Sequence, residues 1–260
     1  MEIESAADFA RMTRAALAAA GFVRGEIEGT VFFTAGEGDP IVLVHGVNDH
    51  AGTWFRVAPA LARTRRVIVP DLPGHGESDP KEGPLPISLM VAKLAAVIGD
   101  QRVTLAGNSM GGWLAMLYAL AHPQRVSRLI LESPGGLNRP LASPVFARNR
   151  DEAMIILRNV HGPRFEPQEW VVDALLQRAT SAPMLRVTEL AEHFVDARLG
   201  EIDVPATIVW GSDDGVVPRE YAEALRQGIA NATLHVIDDA AHIPHLQQPE
   251  RFLQCLTSIC

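Results

Sequence analysis

The chain has 260 residues, 47% of them apolar and 21% charged, with a formal net charge of −8. That composition is too apolar and too weakly charged for a disordered chain, and it fits neither collagen nor a coiled coil. An acidic balance with no Lys/Arg cluster argues against nucleic acid or an anionic membrane as the main partner.

Taken in order, Ala6–Ala20 sets Phe9, Thr13, Leu17 and Ala20 at helical spacing before Gly21, which predicts a separate N-terminal helix within residues 1–21. Thr30–Thr34 reads as a strand. Ile41–His45 is a continuous apolar run, the signature of a strand buried on both faces of a parallel sheet. Val67–Asp71, Val103–Ala106, Leu129–Leu131, Thr207–Trp210 and Leu234–Ile237 repeat it. Helices are expected near Thr53–Ala62, Ile87–Ile98, Met110–Ala121, Arg219–Ile229 and Glu250–Ile259. Strands alternating with helices of this length make an α/β fold with a mostly parallel central sheet flanked by helices.

One stretch breaks the rhythm. Residues 133–200 show no strand-like run, and Pro140, Pro144, Pro163, Pro167 and Pro183 interrupt helix-forming sequence. Such an excursion is too long for a loop. It reads as an inserted cap of three or four short amphipathic helices, with residues 1–132 and 201–260 forming the core.

The two cysteines, Cys255 and Cys260, fit neither a zinc site nor a redox motif. The acidic opening and the short Ala-rich stretch Ala15–Val23 do not read as a signal peptide, and no run of 18 apolar residues exists. The expectation is a cytoplasmic protein without a membrane span.

Gly107-Asn108-Ser109-Met110-Gly111 is a G-x-S-x-G string between an apolar strand and a helix. In that setting the glycines relieve crowding and lift the serine oxygen above the sheet. A serine hydroxyl attacks only when a base takes its proton, so a histidine and an acid are needed. His242 lies in a small-residue loop after the last strand and is taken as the base; His245 is the rival. Asp214, in the Gly-flanked loop after another strand, is taken as the acid ahead of Asp213. The chain order is nucleophile, acid, base. His45-Gly46-Val47-Asn48 ends the first buried strand, so the Val47 and Met110 N–H groups are candidates for an oxyanion hole. His45, Asp71 and His75 read as structural.

These motifs, in this order from about Gly38 onward, resemble the α/β-hydrolase superfamily. The strings around Asn108, Ser133–Leu137 and Ala197–Ile202 resemble more narrowly its meta-cleavage-product hydrolases, which cleave a C–C bond in vinylogous diketones. That resemblance implies substrate-binding roles for Asn108 and for a cap arginine, which Arg178 would match. Asn48, Trp113 and Ile243 are further candidates for the substrate pocket. Two positions depart from the family: Val47-Asn48-Asp49-His50 replaces its glycine-rich loop, and Ile243 replaces its tryptophan. The expected function is therefore hydrolysis of a small carboxylic ester or thioester with an apolar acyl or aryl group. C–C hydrolysis comes next, and a slow-turnover small-molecule receptor last. The chemistry asks for no metal or organic cofactor.

Overall fold

The computed structural model describes residues 3–257, and within them the apolar runs pair into one sheet. The strands are β1 (Val23–Ile27), β2 (Thr30–Ala35), β3 (Pro40–Val44), β4 (Arg66–Pro70), the short β5 (Leu85–Pro86), β6 (Val103–Asn108), β7 (Val126–Glu132), the short β8 (Val187–Thr188), β9 (Ala206–Gly211) and β10 (Ala232–Ile237). Eight of them lie in the order β1-β2-β4-β3-β6-β7-β9-β10. β2 runs against both its neighbours, and every other pairing in this sheet is parallel.

The helices are α1 (Ala6–Ala19), α2 (Ala58–Leu61), α3 (Ile87–Ile98), α4 (Met110–Ala121), α5 (Arg150–His161), α6 (Glu169–Ser181), α7 (Arg219–Gly228), α8 (Pro244–Gln247) and α9 (Pro249–Thr257). Side chains alternate across β3. Ile41 and Leu43 pack with Leu17 of α1, Trp54 and Phe252 of α9. Val42 and Val44 pack on the other face with Leu94 of α3, Leu114 of α4 and Leu225 of α7. Both faces of the sheet are thus covered, which is why its central strands read as unbroken apolar runs.

Four expectations need correction or completion. β1 was not expected, because Val23-Arg24-Gly25-Glu26-Ile27 is an exposed edge strand carrying two charges. It pairs with β2 through Glu28-Gly29, both at positive φ (48° and 76°), a two-residue hairpin turn. The single helix expected over Thr53–Ala62 is two pieces, a 3-10 turn at Ala51–Arg56 and α2, with His50 capping the Gly52 N–H at 3.0 Å. The C-terminal helix begins at Pro249; its expected end, like Cys260, lies outside the described residues.

The fourth concerns residues 133–200. They hold α5, α6 and short 3-10 turns, and also β8, which pairs with β5. Two residues are too short to leave a periodic signal. Ala153, Ile156, Leu157, Val172 and Leu175 give α5 and α6 a small apolar core of their own.

Candidate active site

The chemistry-bearing loops all leave the carboxyl ends of neighbouring parallel strands, where an open α/β sheet presents its ligand crevice. At the end of β6 the chain turns directly into α4, and Ser109 takes φ 52°, ψ −117° at the corner. Left-handed backbone at a serine is strained, so the surrounding structure must impose it. The Ser109 N–H donates to the Glu132 carbonyl (2.9 Å), and the Ser109 carbonyl accepts from Trp113 and Gly135. A methyl group at Gly111 would meet the Val44 carbonyl at 2.3 Å, and one at Gly107 would meet the Gly111 main chain at 2.3 Å. Only glycine lets the elbow close.

Asp214 follows β9. Its Oδ1 accepts from the Val216 and Val217 N–H groups at 2.9 and 3.1 Å, and its Oδ2 faces His242 Nδ1 at 3.0 Å. The side chains are 1% and 8% exposed. Burial pushes the Asp214 carboxyl up, but the charge and hydrogen bond of His242 outweigh it and hold it below the usual value. An ionised carboxylate only accepts, so Nδ1 carries the hydrogen and Nε2 keeps a free lone pair. Asp213 is turned to Ser212 at the surface. His245 pairs instead with Glu132.

Gly46 brings the end of β3 against the elbow. A methyl group there would lie 3.4 Å from Ser109 Cβ and 2.9 Å from Asn108 Oδ1. Among the described residues the Val47 and Met110 N–H groups have no hydrogen-bond acceptor. His45 donates from Nδ1 to the Gly46 carbonyl (2.7 Å), while its Nε2 accepts from the Leu72 N–H (2.9 Å). Asp71 accepts from the Ala51 and Glu77 N–H groups, and so braces its turn.

The other candidates are held by the protein in specific ways. The Asn108 amide donates to the His242 carbonyl (2.9 Å), which ties the elbow to the His242 loop. Asn48, at φ 61°, accepts from the Met184 N–H at 3.0 Å. Trp113 stacks on Phe194 with centroids 5.7 Å apart and donates to the His193 carbonyl at 2.9 Å. Ile243 is buried next to His242 in sequence and caps α8.

Arg178 stands in the last turn of α6. Its side chain reaches solvent, yet the protein around it lowers the guanidinium pKa, with the charge of Asp49 opposing. His161 is held down to about 4 by burial and by Arg178, with Asp49 opposing and His242 adding to the fall. His161 thus feels the charges of Arg178, Asp49 and His242. Asp49, His161 and Glu132 carry no motif; the signal for Glu132 is a lone acid ending the apolar run Leu129–Leu131. Among the described residues no helix is long and apolar enough to cross a membrane.

A sequence model of the Alpha/beta hydrolase family matches residues 41–254, and the chain belongs to that family. It is 29% identical to a 2-hydroxy-6-oxo-6-phenylhexa-2,4-dienoate hydrolase of Comamonas testosteroni, over 84% of this chain and 86% of that protein. A thermophilic esterase from Thermogutta terrifontis superposes with a TM-score of 0.70 at 27% identity, covering 91% of this chain and 97% of the other. A bacterial membrane phospholipase A superposes with a TM-score of 0.80 over 97% of this chain and 91% of its own; at 24% identity this speaks to the fold alone. The chain thus has an esterase and a dienoate hydrolase among its relatives and neighbours.

Proposed function

We propose that this hydrolase cleaves a small-molecule carboxylic ester or thioester by acyl transfer, with Ser109 as nucleophile, His242 as base and Asp214 as acid. One observation carries the reading: a buried Asp214–His242 hydrogen bond of 3.0 Å at the sheet edge that also presents Ser109 on a strained strand-to-helix corner. His242 Nε2 removes the Ser109 proton as Oγ attacks the acyl carbon. Asp214 orients the imidazole and stabilises its cation. The Val47 and Met110 N–H groups receive the oxyanion, each donor worth about 3 kcal/mol to the transition state. His242 then returns the proton to the leaving alcohol or thiol. A water deprotonated by the same nitrogen hydrolyses the acyl-enzyme and frees Ser109.

Residues 133–200 are read as a cap over this site, because Asn48 and Trp113 of the core are bonded to its main chain at Met184 and His193. Phe194, half-buried and stacked on the buried Trp113, is the aromatic face proposed for an apolar acyl or aryl group. Asn108, Ile243 and Arg178 complete the proposed pocket.

C–C bond hydrolysis is the second reading, favoured by the dienoate hydrolase relative and by Arg178, whose cation suits a substrate carboxylate. It ranks second because Val47-Asn48-Asp49-His50 stands where that family has its glycine-rich loop and Ile243 where it has tryptophan. Turnover of a panel of p-nitrophenyl esters beside a dienoate diketone separates the two. Ser109→Ala should abolish turnover of either substrate while circular dichroism shows an unchanged fold; turnover that persists in Ser109→Ala rejects the nucleophile.

A further inference from the structure

Behind the site lies a second carboxylate–imidazole pair that the reaction above does not use. Glu132 ends β7 and His245 opens α8, both with fully buried side chains. The His245 N–H donates to Glu132 Oε1 at 2.7 Å, and the ring Nδ1 stands 2.7 Å from Oε2. The other ring nitrogen, Nε2, faces the Thr53 hydroxyl at 3.2 Å, and Trp54 stacks on the ring with centroids 4.1 Å apart.

The position of this pair matters more than its chemistry. The Glu132 carbonyl accepts the Ser109 N–H, so the same residue holds the nucleophile corner by its main chain and the base loop by its side chain. His245 is three residues from His242. Through Thr53 it also reaches the 3-10 turn that follows the Val47 loop. One buried pair therefore touches the segments bearing nucleophile, base and oxyanion donor. Replacing a buried polar pair by apolar side chains of like volume is often neutral or stabilising, so stability alone gives this pair no reason to be polar. Three directed hydrogen bonds fix distance and angle as apolar packing does not.

We propose that Glu132 and His245 are positioning residues that set where His242 stands relative to Ser109. This rests on the reading of Ser109 and His242 given above. The pair touches no substrate atom and carries no proton in the reaction.

The test is a double replacement, Glu132→Leu with His245→Leu, beside Thr53→Val, which removes the hydroxyl that faces Nε2 and also serves Asp49. Two rates are read on the full chain: kcat and KM on p-nitrophenyl acetate, and labelling by a fluorophosphonate probe. Misplacing a catalytic group by about 1 Å costs about a hundredfold, so the double variant should lose about 10- to 100-fold in kcat and in labelling, with KM within about twofold. Thr53→Val, a near-isosteric change, should lose about threefold to tenfold in kcat at unchanged KM. Glu132→Gln can keep all three contacts through the other His245 tautomer, and should retain more of the rate than the double variant. Folded variants with wild-type kcat and wild-type labelling overturn the proposal, and Thr53→Val decides it alone should the double variant not fold. Labelling that survives Ser109→Ala overturns the nucleophile assignment instead, so the two failures are told apart.

Discussion

The main-chain N–H of His242 donates to the carbonyl of Val160, 3.1 Å away in the last turn of α5. Helix ends leave four carbonyls without intrahelical partners, and α5 directs carbonyls of its last turn to the loops of Asp214 and His242. The Asn159 carbonyl takes the N–H of Gly215, next to Asp214, at 3.1 Å. The His161 carbonyl takes the Gln247 amide at 2.6 Å, while Gln247 Oε1 accepts from the Ala241 N–H at 2.8 Å. The negative end of α5 thus lies against the loop that carries His242, where it would favour the imidazolium of the proposed reaction.

Gln247→Ala cuts both of its links at once. Two lost hydrogen bonds should lower unfolding free energy by about 1–3 kcal/mol in a urea titration. The base loop then loosens against α5, and kcat should fall about tenfold, equivalent to about 1.4 kcal/mol. A kcat equal to the wild type would show that α5 has no hold on the base.

Asp214→Asn keeps an oxygen for the Val216 and Val217 N–H groups but loses the charge. The amide favours the wrong imidazole tautomer, leaving Nε2 protonated and unable to act as base. The expected drop in kcat is about 10³- to 10⁴-fold, with KM little changed and the fold intact. Steady-state kinetics on an activated ester reads this directly.

Gly111→Ala tests the corner itself. The added methyl would stand 2.3 Å from the Val44 carbonyl and 2.6 Å from that of His45, both main-chain atoms of a central strand. Neither can give way, so the substitution should cost at least about 3 kcal/mol of stability by urea titration. Insoluble or unfolded protein agrees with this, and wild-type stability would contradict it.

Acid should weaken the fold through His75. The ring is 2% exposed, and burial lowers its pKa to about 3. The unfolded chain binds this proton below about pH 6.5 and the folded chain does not until about pH 3, so stability is full above 6.5 and falls through that window. The slope is about 1.4 kcal/mol per pH unit. His75→Gln, which cannot titrate, should lose about 2 kcal/mol less than the wild type between pH 7 and pH 4.5 by urea titration.

Local features made much of this legible. The doubly covered strands announce themselves as apolar runs, and the Ser109 corner needs only a strand, two glycines and a helix in succession. Asp214 and His242 each follow a strand that can be recognised alone. Contacts between distant segments leave no such trace: Glu132 meets His245 across 113 positions, and Asn48 meets Met184 across 136. The Asn108 amide likewise donates to the His242 carbonyl across 134 positions. β1 was hidden because an exposed edge strand needs no apolar run.

The balance between Asp49 and Arg178 should decide which acyl groups enter. On the proposed reading Arg178 would attract a substrate carboxylate, and the charge of Asp49 acts on that guanidinium against the effect of burial. Asp49→Asn frees the guanidinium, so KM for an ester bearing a terminal carboxylate should fall by about tenfold, or about 1.4 kcal/mol. Arg178→Gln should raise that KM by a similar factor, since the unopposed Asp49 then repels the anion. A neutral p-nitrophenyl ester feels neither charge strongly, and its KM should move less than the charged ester's in both variants. Both effects should shrink as salt rises, because the cleft is open to water around Arg178. Equal shifts for charged and neutral esters would show that the pair acts on packing, and charge would then have no part in substrate choice.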